Sequence, residues 1–440
     1  MSLKLAGHSG FRIGLAAIIS ALTLSIFVPP ALAQDLSGNF RFTWWGATTR
    51  NQKTEEIAKL FEAANPGVKI SREPGEFNSY WDKLTVQSAS GNQPCAITMQ
   101  SRWLAQYADP AILRPLDDLV ADGTLDVSGV EKTVLDTGRG PDGKLYFIPS
   151  GVFYFTLLMN KTQIEAAGLK VPPADWTWDD YAKFVADLSA KLPQGTYATG
   201  NLGQAMDGFT NFVQGSGEVL FKPDGTIGVS KDTIARYFTY WESLRKAGDT
   251  EPADMMSEIP DNIIDDTLLA NGRIAVDARP ANQLDAHQKQ LAAAKPGEEL
   301  VLHPYPRGSA GPGDDIGANG FAIGANCNDD SAKLVAAWSN FFLQNEQAAD
   351  IYLSDNGVVT VDRFREKQLK NPNATAGQRQ LIEVYNQVAP QARAAFFPAG
   401  GYAAVVEALT TAYESVAFGR ATPDDAATAM LDQIGRLIRG

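Results

Sequence analysis

Between residues 40 and 99 three short apolar runs are separated by two segments of helical period, and this alternation constrains the fold more than any other feature of the sequence. Phe40-Arg41-Phe42-Thr43-Trp44-Trp45 alternates and then breaks at Gly46, as a strand does where it runs into a loop. Ile57, Leu60, Phe61 and Ala64 follow at i, i+3, i+4 and i+7, the apolar stripe of an amphipathic helix, and Asn65-Pro66-Gly67 stops it. Val68 to Ser71 is short enough for a second strand, Trp81 and Leu84 mark another helix, and Cys95-Ala96-Ile97-Thr98-Met99 reads as a third strand. A β-α-β-α-β order implies an α/β domain with a largely parallel sheet covered by helices on both faces.

The pattern resumes further on. Pro141-Asp142-Gly143 is a turn, Lys144 to Pro149 an extended segment, and Phe155 to Met159 a separate apolar strand. A helix is predicted from Trp176 to Leu188, with Thr177 as N-cap, Asp180 completing a capping box, and Trp176 and Tyr181 placed to close a hydrophobic staple. Val301 to Pro306 is a second extended stretch, Gly311 to Gly320 reads as a Gly/Asp-rich loop, and Phe321 to Gly324 as the strand after it. Near the end, Val405, Val406, Leu409, Tyr413 and Val416 share a helix face, and Thr422-Pro423-Asp424-Asp425 opens a final helix.

The chain is long enough for two or three domains, with 440 residues of ordinary globular composition, 44% hydrophobic and 20% charged. Its first thirty-three residues read as a secretory signal peptide. Lys4 and Arg12 form a basic start, Ile13 to Val28 an apolar stretch, and Ala31-Leu32-Ala33 a small-x-small cleavage site. Pro29-Pro30 ends the apolar run short of a membrane span. The expected destination is a bacterial periplasm, an oxidising compartment in which Cys95 and Cys327 either pair or remain as two buried thiols.

Several chemistries find no footing. A formal charge of −13, from 38 Lys+Arg against 51 Asp+Glu, repels phosphate backbones, and no basic run or basic-aromatic stripe offsets it, so no nucleic acid is expected as a partner. Past the leader only His287 and His303 remain, without metal-ligand spacing and without a Gly-x-Ser-x-Gly elbow, so neither a zinc or copper site nor a Ser-His triad is expected. Gly138 to Lys144 has the spacing of a phosphate loop, but Leu145 stands where the magnesium-binding hydroxyl belongs. Paired carboxylates for glycoside cleavage stay open, since 51 acids offer many pairs. What the chain does carry is aromatic surface. Trp44 and Trp45 point to opposite faces of the first strand, so one enters the core and the other, assigned as Trp45, faces the crevice at the strand ends. A flat indole beside hydroxyl-reading amides suits a sugar.

The order of motifs resembles the family 1 extracellular solute-binding proteins, the periplasmic receptors of carbohydrate ABC transporters. The resemblance rests on Phe42-Thr-Trp-Trp-Gly46, Phe61-Glu-Ala-Ala-Asn-Pro-Gly-Val-Lys-Ile70, Asp142-Gly-Lys-Leu-Tyr-Phe-Ile-Pro149, Leu158-Met-Asn-Lys161, Trp176-Thr-Trp-Asp-Asp-Tyr181, Gly317-Ala-Asn-Gly-Phe-Ala-Ile323 and Phe418-Gly-Arg-Ala-Thr422, and covers nearly all of residues 36–440. It implies a two-lobed α/β fold of the type II periplasmic binding protein kind, each lobe a mixed sheet flanked by helices and joined by hinge strands. The N-lobe would comprise 36–147 and 306–345, the C-lobe 148–305 and 346–440. It also implies that the strand starting at Cys95 lies antiparallel to the one running into Cys327, and hence a Cys95–Cys327 disulfide.

By position, the resemblance places ligand contacts at Trp45 and Thr48 after the first strand, Gln100 and Arg102 after the third, and Phe153 and Tyr154 after the first hinge. Asp207, Asn211 and Arg279 would contribute from the C-lobe, with Asn319 and Gly320 before the returning strand and Tyr402 opening the late helix. Phe153 stands where the maltose receptor has an acidic residue, and Arg279-Pro280-Ala281-Asn282 replaces its tryptophan-rich segment. Arg102 and Arg279 therefore hint at an acidic or substituted sugar. The function so implied is a monomeric periplasmic receptor, not an enzyme and without cofactor, that closes over a sugar, short oligosaccharide or glycoside and delivers it to an inner-membrane permease. The alternatives are the same fold binding a non-sugar such as a polyamine or phosphodiester, or a secreted carbohydrate-active enzyme. A polyamine would want several cleft carboxylates around an aromatic box, of which the sequence offers Asp207 alone.

Overall fold

A computed structural model describes residues 36–222, 224–258, 264–394 and 396–438. The signal peptide expected over 1–33 lies outside the described residues. Ten strands occur among them: β1 (Ser37–Trp45), β2 (Gly67–Gly75), β3 (Ala96–Gln100), β4 (Phe147–Asn160), β5 (Tyr197–Thr199), β6 (Ile274–Pro280), β7 (Leu300–His303), β8 (Asp315–Ile323), β9 (Val358–Val359) and β10 (Arg393–Ala394). Their order is β2-β1-β3-β8-β4-β6-β5, with β7 and β9 paired to β4 and β10 to β8. β1 runs parallel to β2 and β3, while β8 returns antiparallel between β3 and β4. Helices Thr48–Ala64 and Phe77–Ala89 connect the first three strands, as their apolar spacing predicts. The fold is the mixed α/β arrangement that the resemblance implies; the largely parallel sheet expected from the β-α-β-α-β order holds for β1, β2 and β3, while β4 and β8 bring in antiparallel pairing.

Two expectations need correction. The segments 144–149 and 155–159 are not separate strands: residues 147–149 and 155–159 belong to one strand of 14 residues, β4, which begins at Phe147. The chain changes partners instead of turning: Phe147–Tyr154 pairs with β8, with an irregularity between Pro149 and Gly151, and Phe155–Asn160 pairs with β6 and β7. Proline has no N–H to give the ladder, so an irregularity falls naturally beside it. Residues 315–320, read as part of a loop, belong to β8, which is buried along its whole length. Its glycines serve close approach, not turning. A Cβ at Gly320 would stand 2.0 Å from the Ile148 carbonyl oxygen, and one at Gly317 would stand 2.2 Å from the Phe153 ring. Asn319 and Gly320 therefore lie within the returning strand, not before it.

Separate apolar cores sit at the two ends of this sheet. Phe42 and Trp44 pack with Phe61, Phe321, Trp338 and Phe342 on one face of β1, and Ala348, Ile351 and Tyr352 join the same core. Trp45 lies on the other face with Tyr80, Trp81 and Tyr107. Around β6 the core holds Trp178, Tyr181, Tyr237 and Trp241, closed by Tyr413 and Met430 from the last two helices. Helix Trp178–Ser189 begins as its sequence dictates, with Thr177 and Asp180 in a reciprocal capping box and Trp176 5.3 Å from Tyr181 between ring centres. Thr422 likewise caps Pro423–Leu437. Cys95 and Cys327 are bonded, with Cα atoms 5.6 Å apart and a sequence separation of 232. Closing so long a loop is worth about 5 kcal/mol in the chain-entropy model. Among the described residues no helix is long and apolar enough to cross a membrane.

Candidate functional site

The turn after β3 is held against β8 before it presents any side chain. Gln100 donates from Nε2 to Asn319 Oδ1 at 3.0 Å, Ser101 N–H donates to the Ala318 carbonyl, and Ala318 N–H donates to Ser101 Oγ. Asn319 in turn donates to the Asn356 carbonyl, so both amides are engaged within the protein. This frame fixes where Arg102 goes. Its Nη2 meets Asp207 Oδ1 at 2.5 Å and lies 3.8 Å from Asp315 Oδ2, and its Nη1 donates to Tyr402 Oη at 3.1 Å. Its guanidinium carbon stands 5.1, 4.8 and 5.0 Å from the ring centres of Phe153, Phe155 and Tyr402.

Each partner is placed by its element. Phe153 and Phe155 are two apart on β4 and share a face. Asp207 lies in the first turn of helix Met206–Gly215, where the helix dipole favours a carboxylate. Tyr402 is the second residue of helix Gly401–Ala417, and Asp315 is the first of β8. Only 8% of the Arg102 side chain is exposed. Burial pulls its pKa down, but Asp207, Tyr402 and Asp315 more than offset that and hold it above the ordinary arginine value. Asp315 is pushed up by burial, which Arg102 opposes. Beside it, burial and then the Asp315 charge push Asp314 up to about 7.

Four of the twelve expected contact residues, Arg102, Phe153, Asp207 and Tyr402, thus meet at one point. The remainder scatter. Trp45 is 4% exposed, buried against Phe77, Tyr80 and Trp81 instead of facing a crevice. Thr48 is exposed at the start of its helix. Tyr154 points to the opposite face of β4, where its Oη donates to the Leu381 carbonyl at 2.7 Å in the core. Asn211 is buried one turn beyond Asp207, with no hydrogen-bond partner for its side-chain amide. Arg279 binds Asp277 Oδ2 through Nε at 2.9 Å and Nη2 at 2.6 Å. It lines a separate cavity of about 50 Å³ with Gln204 and Glu251, and the buried Gln204 Oε1 has no partner there. Both arginines that hinted at an acidic sugar are therefore held by carboxylates of the chain itself.

Sequence reasoning missed Phe155, Asp315 and Trp103. Phe155 carried a signal, since it repeats Phe153 at the strand period. Trp103 stacks on Trp81 at 5.1 Å and lies 6.3 Å from Tyr402, so rings run from Trp45 through Trp81 and Trp103 to the Arg102 cluster. The structure also supplies what the sequence lacked for a cationic solute, a second carboxylate and three rings around one point. Among the described residues no group of His, Cys, Asp and Glu could hold a metal ion.

A family model described as bacterial extracellular solute-binding protein matches residues 56–363, more than half of the chain. The chain belongs to that family. Binding proteins of Brucella abortus (strain 2308) and Brucella suis biovar 1 (strain 1330) are each 29% identical to it over 204 residues. The match takes in 45% of this chain and 47% of each relative, about half the length of these curated proteins. Solved structures agree over nearly the whole length. A family 1 extracellular solute-binding protein from Alicyclobacillus acidocaldarius superposes with a TM-score of 0.73 at 21% identity, over 92% of this chain and 99% of that one. An ABC substrate-binding protein from Listeria monocytogenes in complex with cycloalternan gives 0.74 at 20%, over 91% and 98%. A periplasmic oligogalacturonide-binding protein from Yersinia enterocolitica, in complex with saturated digalacturonic acid, gives 0.76 at 18%, over 91% and 98%. This solute-binding protein thus shares its fold with them at low sequence identity.

Proposed function

We propose that the protein is a periplasmic receptor that captures a sugar, short oligosaccharide or glycoside between two lobes and delivers it to an inner-membrane ABC permease. The lobes are 36–147 with 306–345, and 148–305 with 346–440, helix Glu346–Tyr352 packing on the first. The observation that carries this reading is the meeting at Arg102. A side chain from the first lobe is enclosed by Asp207 and Tyr402, which lie 105 and 300 residues away on the second. Residues so placed touch when the lobes close and separate when they open. A solute then acts by population shift, favouring the closed form only as far as it binds that form better. The cycloalternan and digalacturonic acid held by the Listeria and Yersinia proteins support a carbohydrate, as do the ring run from Trp81 to Tyr402 and the unpaired amide oxygen of Gln204. In this reading the protein works as a secreted monomer, without cofactor and without changing its solute.

The test is a thermal-shift screen of the secreted chain against neutral sugars, amino sugars, uronates and polyamines, followed by chromatography of the solute. Binding to the folded state alone raises Tm. The reading predicts a saturable rise with one sugar class and recovery of the sugar unchanged. Release of a cleaved product would replace it with an enzyme.

A further inference from the structure

The surroundings of Arg102 exceed what an ion pair needs. Arg236, Arg363, Arg365 and Arg420 each lie over a single ring, whereas Arg102 lies over three. Two carboxylates, Asp207 and Asp315, share its one positive charge. Aromatic faces joined to acidic groups form the environment that recognises an ammonium or guanidinium ion. We infer that this cage is a recognition site for a cationic group on the solute, and that Arg102 is a tethered stand-in which fills it in the solute-free closed form. The inference rests on the two-lobe reading and names the class of solute, a carbohydrate carrying a protonated amine.

The division of the cage between lobes gives the mechanism. Phe153, Phe155, Asp207 and Tyr402 belong to the second lobe, Arg102 and Asp315 to the first. When the lobes part, Arg102 leaves with its own lobe and three rings and a carboxylate are presented on the other. A solute amine docks there, and on closure it takes the place of the guanidinium and brings its charge against both carboxylates. An anionic sugar docked in the cage would meet those carboxylates at close range, and Arg279 is already bound to Asp277. An N-acetylated sugar would bring no charge.

The experiment titrates the full secreted chain, by calorimetry, with the disaccharide of glucosamine, its N-acetylated form, digalacturonate and spermidine, and repeats the first with Arg102→Gln. The amine-bearing disaccharide should bind about 10- to 100-fold more tightly than the acetylated one, the worth of one hydrogen-bonded charge. Removing the tethered competitor should tighten its binding further, whereas a merely structural arginine would weaken it. If Arg102→Gln does not fold, the comparison within the unaltered protein decides. Equal affinity for the two disaccharides, or preference for digalacturonate, overturns the inference and leaves the carbohydrate receptor standing. Binding of spermidine with no response to any sugar supports the cation cage and removes the carbohydrate. Binding of neither amine overturns the inference.

Discussion

Arg102 draws its partners from distant parts of the chain, whereas Arg279 meets Asp277 two residues away on β6. Both are largely buried, with 8% and 11% of their side chains exposed. The difference lies in what each pair reports. Arg279 and Asp277 share a strand, so their contact persists wherever the rest of the molecule moves. The bonds of Arg102 to Asp207 and Tyr402 exist only while residues 102, 207 and 402 are held together. One pair is local architecture, and the other, in the proposed two-lobe reading, depends on how the lobes are placed.

The largest test of that contrast is Arg102→Gln. Removing one partner of a buried pair leaves the other charge uncompensated, at a cost of about 3–5 kcal/mol. If the halves are lobes, part of that cost is relieved by opening, so the solute-free variant should show a larger radius of gyration in small-angle scattering. An unchanged radius would mean that Arg102 holds no lobes together. Next in size is the pH dependence of the acidic residues beside it. Burial keeps Asp314 up at about 7, against an ordinary 3.8, so the native state holds a proton that the unfolded chain releases. Stability from this group is fully present below the ordinary value and falls as pH rises through about 7. Tm should therefore decline over this interval, and Asp314→Asn should flatten the decline. On β2, Glu73 has the opposite sign. Burial raises it, but Arg41 and Lys83 prevail and hold it at about 2, so its contribution is lost as pH falls from 4.5 toward that value. The smallest effect is expected from Arg279→Gln, about 1–2 kcal/mol, because Asp277 keeps its bond from Ala278 N–H. Its radius of gyration should match that of the unaltered protein. Expansion equal to that of Arg102→Gln would erase the contrast.

Much of the fold is legible where local chemistry decides it. The spacing of Ile57, Phe61 and Ala64 and the Thr177/Asp180 capping box each mark an element that forms as written. The misses lie where long-range pairing overrides local signals. Gly317 and Gly320 read as loop residues because glycine favours turns, yet here they let β8 lie against β4 and the Phe153 ring. The start of β4 and its end read as two strands because Pro149 interrupts the pattern, and only the successive partners β8 and β6 make it continuous. The site follows the same rule. Arg102, Phe153, Asp207 and Tyr402 are recovered through the resemblance, whereas Phe155 is missed although the strand period carries its signal. Asp315 belongs to the site only because β3 lies beside β8, which no local pattern announces. Trp45 has the residue type for sugar stacking, but helix Phe77–Ala89 covers it with Phe77, Tyr80 and Trp81.

Reversible capture of a carbohydrate by movement of two lobes is the proposal on which the rest depends. It is tested most directly by small-angle scattering of the secreted chain with and without the solute that raises its Tm, with the solute recovered afterwards. The account predicts a population of open molecules without solute, a smaller radius of gyration at saturation, and a carbohydrate returned intact. A radius unchanged by saturating solute, or a solute returned in pieces, would contradict it.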